Sequence, residues 1–427
     1  MLNNSVVNIR HQSKIGINVK IILDLCQNDI IMTVRTLEEA YVVESIRTPI
    51  GKKNGSLRDV HPVDLLGDLT KAMFRKTSVE PSQIEDFIIG CVSQAGDQGF
   101  NIARNAWLSA GLPESVPGVT LDRQCGSSLQ SLQFAANGVR SGQYKAVMGG
   151  GVESMTRVPL GSTINSTGNP ITLGLTLRYG IEDEWFSQAK GAELIANKWH
   201  IERNEMDILS YDSHRKAAAA SESMQSEIVP VKIGIKQDET GEIITFDHDE
   251  GVRQKPDLNK MMELPPAFPG LKLITAGNSS QISDGASLSL IANDEFSRKN
   301  NLKPRARIIE TAAVGVDPVT MLTGPIPVTH KLLERANMSI DQIDLFEVNE
   351  AFAPVVLAWQ EEFDVPSDKL NVHGGAIALG HPLGATGTRI LATMINALER
   401  RGKKTGLIAI CEGGGMANGA IIERIQQ

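Results

Sequence analysis

Apolar positions along this chain fall into two rhythms that alternate. Continuous apolar runs at residues 40–45, 87–92, 119–121, 146–148, 287–291, 305–313, 343–348 and 406–410 have the length and composition of buried strands. Between them, apolar residues recur at three-and-four spacing over 63–76, 102–110, 127–141, 327–337 and 388–401, and Asn349-Glu350-Ala351-Phe352-Ala353 opens a further helix. Strands alternating with helices predict an α/β fold with a largely parallel sheet. The middle of the chain breaks the rhythm. Residues 159–184 are rich in Gly and Pro, helices are predicted at 191–199 and 205–222, a strand at 228–235, and a charged stretch at 238–255 leads to Leu264-Pro265-Pro266-Ala267-Phe268-Pro269. This segment reads as a large insertion, after which the sheet resumes.

The last third repeats the first. Residues 125–151 and 381–415 each run from a reactive residue in a Gly-containing turn through one helix and one strand to three glycines, which predicts an internal duplication. Two unrelated βαβ units are the alternative. Residues 1–37 follow neither rhythm: they hold Arg10, His11, Lys14 and Lys20, and Lys20, Asp24 and Asp29 break their apolar patch. A secretory signal or an Arg- and Ser-rich transit peptide fits them poorly. Met32 stands just ahead of the first strand, and an upstream start is the expectation for this segment.

Composition narrows the class. The chain has 427 residues, 41% of them hydrophobic, and no apolar run approaches a membrane span. A formal charge of −8 argues against nucleic acid as a partner. The four cysteines, Cys26, Cys91, Cys125 and Cys411, are widely separated, which suits neither a zinc framework nor a disulfide scaffold. A reducing compartment is expected, with no metal.

One cysteine is placed for chemistry. Asp122-Arg123-Gln124-Cys125-Gly126-Ser127 forms a polar turn before the helix at 127–141, where free N–H groups and the helix dipole would favour a thiolate. His381, between Gly380 and Pro382, and Cys411, before Gly413-Gly414-Gly415, lie in the corresponding turns of the second half. Imidazole can take a thiol proton. A second cysteine can act as acid and base toward carbon. Backbone amides at the glycine run suit an oxyanion hole. Cys91, inside an apolar strand, reads as inert packing and Cys26 as irrelevant. His61, His200, His214, His248 and His330 read as solvated, and His373, before Gly374-Gly375, as a candidate neighbour of the site.

Arg123-Gln124-Cys125-Gly126-Ser127-Ser128, Asn349-Glu350-Ala351-Phe352, Gly380-His381-Pro382 and Cys411-Glu412-Gly413 resemble the four signature segments of the thiolases, in the right order. Arg47-Thr48-Pro49, Gly151-Val152-Glu153-Ser154-Met155 and Thr275-Ala276-Gly277-Asn278 are similar to thiolase positions as well. The resemblance implies the thiolase fold: two duplicated mixed-sheet βαβ halves stacked as α-β-α-β-α layers, with an inserted loop domain. The expected division is an extension over 1–37, an N-terminal half over 38–156 plus 282–303, a loop domain over 157–281 that covers coenzyme A, and a C-terminal half over 304–427.

It implies thiolytic cleavage of a 3-ketoacyl-CoA, with Cys125 as nucleophile, His381 activating it and Cys411 as acid and base. One oxyanion site would use His381 with a water held by Asn349, the other the amides of Cys125 and Gly413. By position Ser280 and Ala276 would line the pantetheine channel and Arg253 would meet the nucleotide end; a charged-surface role for Arg253 is the alternative. Coenzyme A is the co-substrate, and no permanently bound cofactor is expected. The resemblance also implies a homodimer or homotetramer, with a β-oxidation partner subunit left open, in the cytoplasm or, in a eukaryote, the mitochondrial or peroxisomal matrix. Leu160 stands where some short-chain biosynthetic members have histidine, and His373 where many have Asn. These departures favour a degradative enzyme for longer or bulkier chains over acetoacetyl-CoA synthesis. Cys411 argues against a ketoacyl-carrier-protein synthase. An inactive lipid carrier or scaffold is set against the filled catalytic positions.

Overall fold

A computed structural model describes residues 19–26, 29–164, 168, 170–181, 186–235 and 241–426. Its strands form two copies of one plan. In the first, β1 (Tyr41–Arg47), β2 (Phe87–Gly90), β3 (Gly118–Leu121), β4 (Ala146–Ser154) and β5 (Ser283–Ala292) lie in the order β1-β5-β4-β2-β3. In the second, β6 (Ala306–Gly315), β7 (Leu345–Val348), β8 (Thr405–Glu412) and β9 (Met416–Arg424) lie in the order β6-β9-β8-β7. A parallel bridge from Phe346 to Leu370 occupies the place that β3 holds in the first copy. The copies join where β1 meets β6, at Val42–Ala306 and Tyr41–Arg307, and the short strand Gly51–Lys52 pairs with β5. The segment ahead of β1 is described as an antiparallel pair, Val19–Cys26 with Asp29–Thr36; the rest of residues 1–28 lies outside the described residues.

The sheet is mixed, which corrects the expectation of a largely parallel one. Parallel pairing holds for β2–β3, β2–β4 and β7–β8. β5 and β9 run antiparallel to both neighbours. Neither arrives by a crossover helix: β9 follows β8 through a tight turn, and β5 returns from the insertion. The strand β9 escapes the apolar pattern because Met416-Ala417-Asn418-Gly419 has little β-forming character. The two glycine triplets also differ in place. Gly149-Gly150-Gly151 lies within β4, whereas Gly413-Gly414-Gly415 forms the turn after β8, so the residues that correspond by strand position are Glu153, next to last in β4, and Glu412, last in β8.

Helices cover both faces. α1 (Pro62–Thr77) and α2 (Ile102–Ser109) cover one face of the first copy, packing Leu65, Leu69, Met73 and Trp107 on Ile46, Phe87, Met148 and Leu288. α3 (Ser127–Arg140) lies on its other face. Between β4 and β5 the inserted segment carries α4 (Gln188–Lys198) and α5 (Arg203–Met224). In the second copy α6 (Pro325–Ala336) and α7 (Ala353–Phe363) cover the outer face, while α8 (Thr386–Arg400) shares the inner layer with α3. The stack is therefore α-β-α-β-α, with α3 and α8 as the middle layer.

That middle layer sets up the site. Every residue of α8 from Thr386 to Leu398 is buried, as befits a helix enclosed on all sides. Three of its polar side chains find partners inside: Thr388 Oγ1 lies 2.6 Å from Ser287 Oγ, and Thr393 Oγ1 and Asn396 Nδ2 donate to the Glu227 carboxylate at 2.8 and 2.7 Å, whereas the three nitrogens of the buried Arg389 guanidinium have no hydrogen-bond partner. Gly387 lets α8 cross α3 backbone to backbone, since a β-carbon there would collide with the Leu129 amide. The crossing brings the N-terminal turns of the two helices together. The insertion is pinned by Arg47, fully buried at the end of β1, which binds Glu227 and Asp249 at 2.7 Å each. Such a network fixes position, because losing one partner would strand the other charge away from water.

Candidate active site

The Cys125 turn is built from its own polar side chains. Asp122 Oδ1 accepts from the Gln124 amide at 2.6 Å, and Ser127 Oγ accepts from the Arg123 amide at 2.9 Å while donating to the Gln124 carbonyl at 2.7 Å. Gln124 is held in the left-handed region at φ 48°. Cys125's own amide and that of Gly413, in the turn after β8, are directed at the sulfur. Cys125 precedes Gly126, the N-cap of α3, and is 1% exposed.

The electrostatics correct one expectation. Burial pushes the Cys125 thiol up to about 12, and Glu412 adds to the rise; the two amides pull the other way without prevailing. The group rests as a thiol, because the cost of a buried anion exceeds what the nearby helix start returns. Cys411, also buried, is raised well above the ordinary thiol range by burial and by Cys125 beside it. No disulfide joins Cys91, Cys125 and Cys411.

His381 is fixed at both ends. Its amide donates to the Gln281 carbonyl and to Ser283 Oγ, each at 3.2 Å. The Thr386 hydroxyl donates to the Pro382 carbonyl at 2.9 Å, which leaves its oxygen to accept from His381 Nδ1 at 2.7 Å. Nδ1 therefore carries the proton, and Nε2 offers its lone pair to Asn349 Nδ2 at 3.3 Å. Burial, with the Arg389 charge in support, pushes the imidazole down to about 3, so it rests neutral and able to accept a proton. Thr386, absent from the sequence expectations, is what sets this tautomer; its place five residues after His381, at the start of α8, was the available signal.

Asn349 follows β7, and its neighbour Glu350 anchors the wall. The buried Glu350 carboxylate accepts from Ser213 Oγ at 2.6 Å, Asn371 Nδ2 at 3.0 Å and the Ile377 amide at 3.2 Å. These bonds tie the Asn349 turn to α5 and to the segment leading to His381. Asn349 Oδ1 is buried without a protein partner, a free acceptor beside His381.

The remaining expected residues divide. Ser280 donates its amide to the Ala351 carbonyl at 2.9 Å, so it abuts the Asn349 wall, and Ala276 is exposed at the neighbouring turn. The Arg253 side chain is exposed, and its amide is held by His214 Nδ1 at 3.2 Å. His214 is buried, not solvated as expected, and burial with Arg253 pushes it down to about 4. His373 is buried but not brought to the sulfurs: the charges acting on it are Glu227, Arg401 and Arg400, toward the far end of α8 from His381. Cys91 lies 4.0 Å from Glu153 Oε1, behind the site. Leu160 is 59% exposed. Among the described residues no group of three His, Cys, Asp or Glu is placed to hold a metal ion, and no helix is long and apolar enough to cross a membrane.

Two neighbouring cysteines, a neutral imidazole and amides directed at one sulfur are the groups that nucleophilic acyl transfer coupled to proton transfer at carbon would use. Comparison with known proteins points the same way. The chain matches the description "Thiolase, N-terminal domain" over residues 40–295 and "Thiolase, C-terminal domain" over 302–424. It is 45% identical over 399 residues to the steroid 3-ketoacyl-CoA thiolase FadA6 of Mycobacterium tuberculosis, covering 91% of this chain and 95% of that one. It is 39% identical over 397 residues to the 3-ketoacyl-CoA thiolase of Photorhabdus laumondii, covering 91% of this chain and 100% of that one. The crystal structure of the Bacillus anthracis acetyl-CoA acetyltransferase superposes with a TM-score of 0.82 at 34% identity, over 91% of this chain and 99% of that one. By fold, by site and by sequence, the chain belongs to the thiolase family.

Proposed function

We propose that the protein is a degradative 3-ketoacyl-CoA thiolase acting on long or bulky acyl chains, with Cys125 as the acyl-carrying nucleophile. The observation that carries the reading is the neighbouring pair of buried thiols, Cys125 and Cys411, one from each copy of the fold, with the Gly413 and Cys125 amides on the Cys125 sulfur and His381 held by Thr386 and Asn349 in the turn before α8. Cys125 Sγ attacks the 3-keto carbon while its proton passes to His381 Nε2. Thiolate and imidazolium arise together, so each offsets the burial cost of the other. The tetrahedral oxyanion is held by the Cys125 and Gly413 amides. Its collapse breaks the bond between carbons 2 and 3, leaves the acyl group on Cys125, and expels acetyl-CoA as an enolate. Cys411 gives the enolate carbon its proton. His381 and a water on Asn349 steady the enolate oxygen. The thiol of coenzyme A then gives its proton to the Cys411 thiolate and attacks the acyl-cysteine, and the expelled Cys125 thiolate takes back its proton from His381 as the shortened acyl-CoA leaves.

In this reading the inserted segment covers coenzyme A, with Ser280 and Ala276 along the pantetheine and Arg253 toward the nucleotide. Leu160, Leu173 and Leu177 on that segment are exposed, and in this reading they are the apolar side chains free to meet a large acyl group. The test is a series of thiolysis rates over acetoacetyl-CoA, medium- and long-chain 3-ketoacyl-CoAs and a ring-bearing one. The larger substrates are expected to have kcat/KM at least about tenfold above acetoacetyl-CoA, the worth of a few buried methylenes. A preference for acetoacetyl-CoA would overturn the chain-length reading in favour of an acetyltransferase.

We propose further that the protein is a dimer built on the β3 edge. Beyond β3 no further described strand pairs, and Val119 on it and Phe134 on α3 are 44% and 49% exposed beside a cavity of about 540 Å³ lined by Ile88, Leu121 and Tyr144. An apolar sheet edge of this kind is a pairing surface. Light scattering is expected to give twice the chain mass for the wild type and the chain mass for Val119→Asp/Phe134→Glu; a wild-type monomer would refute the assignment.

A further inference from the structure

The carboxyl group between Cys411 and Gly413 has no role in the steps above. Glu412 ends β8, and because successive strand residues face opposite sides, it points away from the Cys411 face and into the inner layer. There it meets the underside of the Cys125 turn. A β-carbon on Gly126 would collide with Glu412 Oε1 and with Asn418 Oδ1, so these two oxygens converge on one spot beneath the turn. Both Glu412 oxygens and Asn418 Oδ1 are buried without a hydrogen-bond partner. The orientation of the Asn418 amide is fixed, since its Nδ2 donates to the Gly126 carbonyl at 2.9 Å. Two acceptors thus face each other with no donor between them. One proton on the carboxyl turns that opposition into a hydrogen bond.

The corresponding residue of the other copy shows the contrast. Glu153, next to last in β4, lies beneath the turn that carries His381, and its carboxylate accepts from the amides of Val92, Ser93 and Gly384 at 2.9, 3.0 and 2.9 Å and from Gln98 Nε2 at 2.9 Å. Four N–H groups satisfy that carboxylate. Glu412 has none, so an ionised Glu412 would be a buried anion with no hydrogen-bond donor, facing only the charge of Arg123.

We propose that Glu412 is a positioning residue that works as a carboxylic acid: its proton bridges to Asn418 Oδ1, Asn418 in turn holds the Gly126 carbonyl, and the pair supports the Cys125 turn while keeping a negative charge away from the thiol that must ionise. The inference rests on Cys125 being the nucleophile. The groups facing Glu412 are Asp122, Arg123 and Cys125 from the turn before α3, Cys411 from its own strand and Asn418 from β9. Burial pushes its carboxyl up to about 8, against the pull of Arg123 and with a smaller push from Asp122. Glu412 in turn raises both thiols when charged. Below about pH 8 the acid form holds; above it the carboxylate appears beside Cys125 and makes the thiolate harder to form.

Iodoacetamide alkylation of Cys125, located by peptide mass in the full-length protein, tests the assignment. The ratio of the Glu412→Gln rate to the wild-type rate is expected to rise severalfold between pH 7 and pH 9, since a coupling of one pKa unit corresponds to about tenfold. A ratio that does not change with pH would overturn the proposal. Asn418→Ala removes the acceptor that favours the acid form, so the wild-type slowing should begin at lower pH in that variant; an unmoved onset would refute the bridge. Failure of the nucleophile reading itself would look different: an acyl-enzyme would still form in Cys125→Ala.

Discussion

A pulse of 3-ketoacyl-CoA is expected to leave no acyl adduct on Cys125→Ala, while the wild type gains the mass of one acyl group. Thiolysis should fall by about 10⁴-fold or more, because the nucleophile, imidazole and oxyanion amides act as a unit. The side chain is small and 1% exposed in a turn held by Asp122 and Ser127, so the fold should survive the change. An adduct of unchanged yield in Cys125→Ala would remove Cys125 from the mechanism.

Cys411→Ala should separate the two half-reactions. Deuterium exchange at the acetyl carbon of acetyl-CoA in heavy water is expected to fall by about 10²–10⁴-fold, the usual worth of a positioned acid or base. Transfer of an acetyl group from acetyl-CoA to Cys125 should persist, since that step needs no carbon acid. Undiminished exchange would show that another group moves the proton. His381 is unsuited to replace it, because Nδ1 is committed to Thr386 and Nε2 is held by Asn349.

What the chain discloses before folding is uneven, and for physical reasons. The helices that carry the site, α3 and α8, were legible because their apolar faces recur at helical spacing and each begins just after a Gly-containing turn. The cysteines and His381 were legible as residue types in unusual company. The sign of the Cys125 electrostatics was not, since burial is a property of the assembled layers and here outweighs the helix start. The tautomer of His381 depends on where the single Thr386 proton points, which no spacing reveals. β9 was hidden by its weak local preference for strand; it forms because β8 and β6 offer it two edges at once. His373 and His214 show the same limit, as both are polar residues whose burial is decided by distant segments.

The crossing at Gly387 places each catalytic turn on the other copy's sheet. The Cys125 turn, from the first copy, rests on Glu412 and Asn418 of the second, and the His381 turn, from the second, rests on Glu153 of the first. A chimaera that joined one half of this chain to the other half of a distant relative would inherit a nucleophile without its floor, so substitutions under the two turns must be accepted in pairs across the midpoint of the gene.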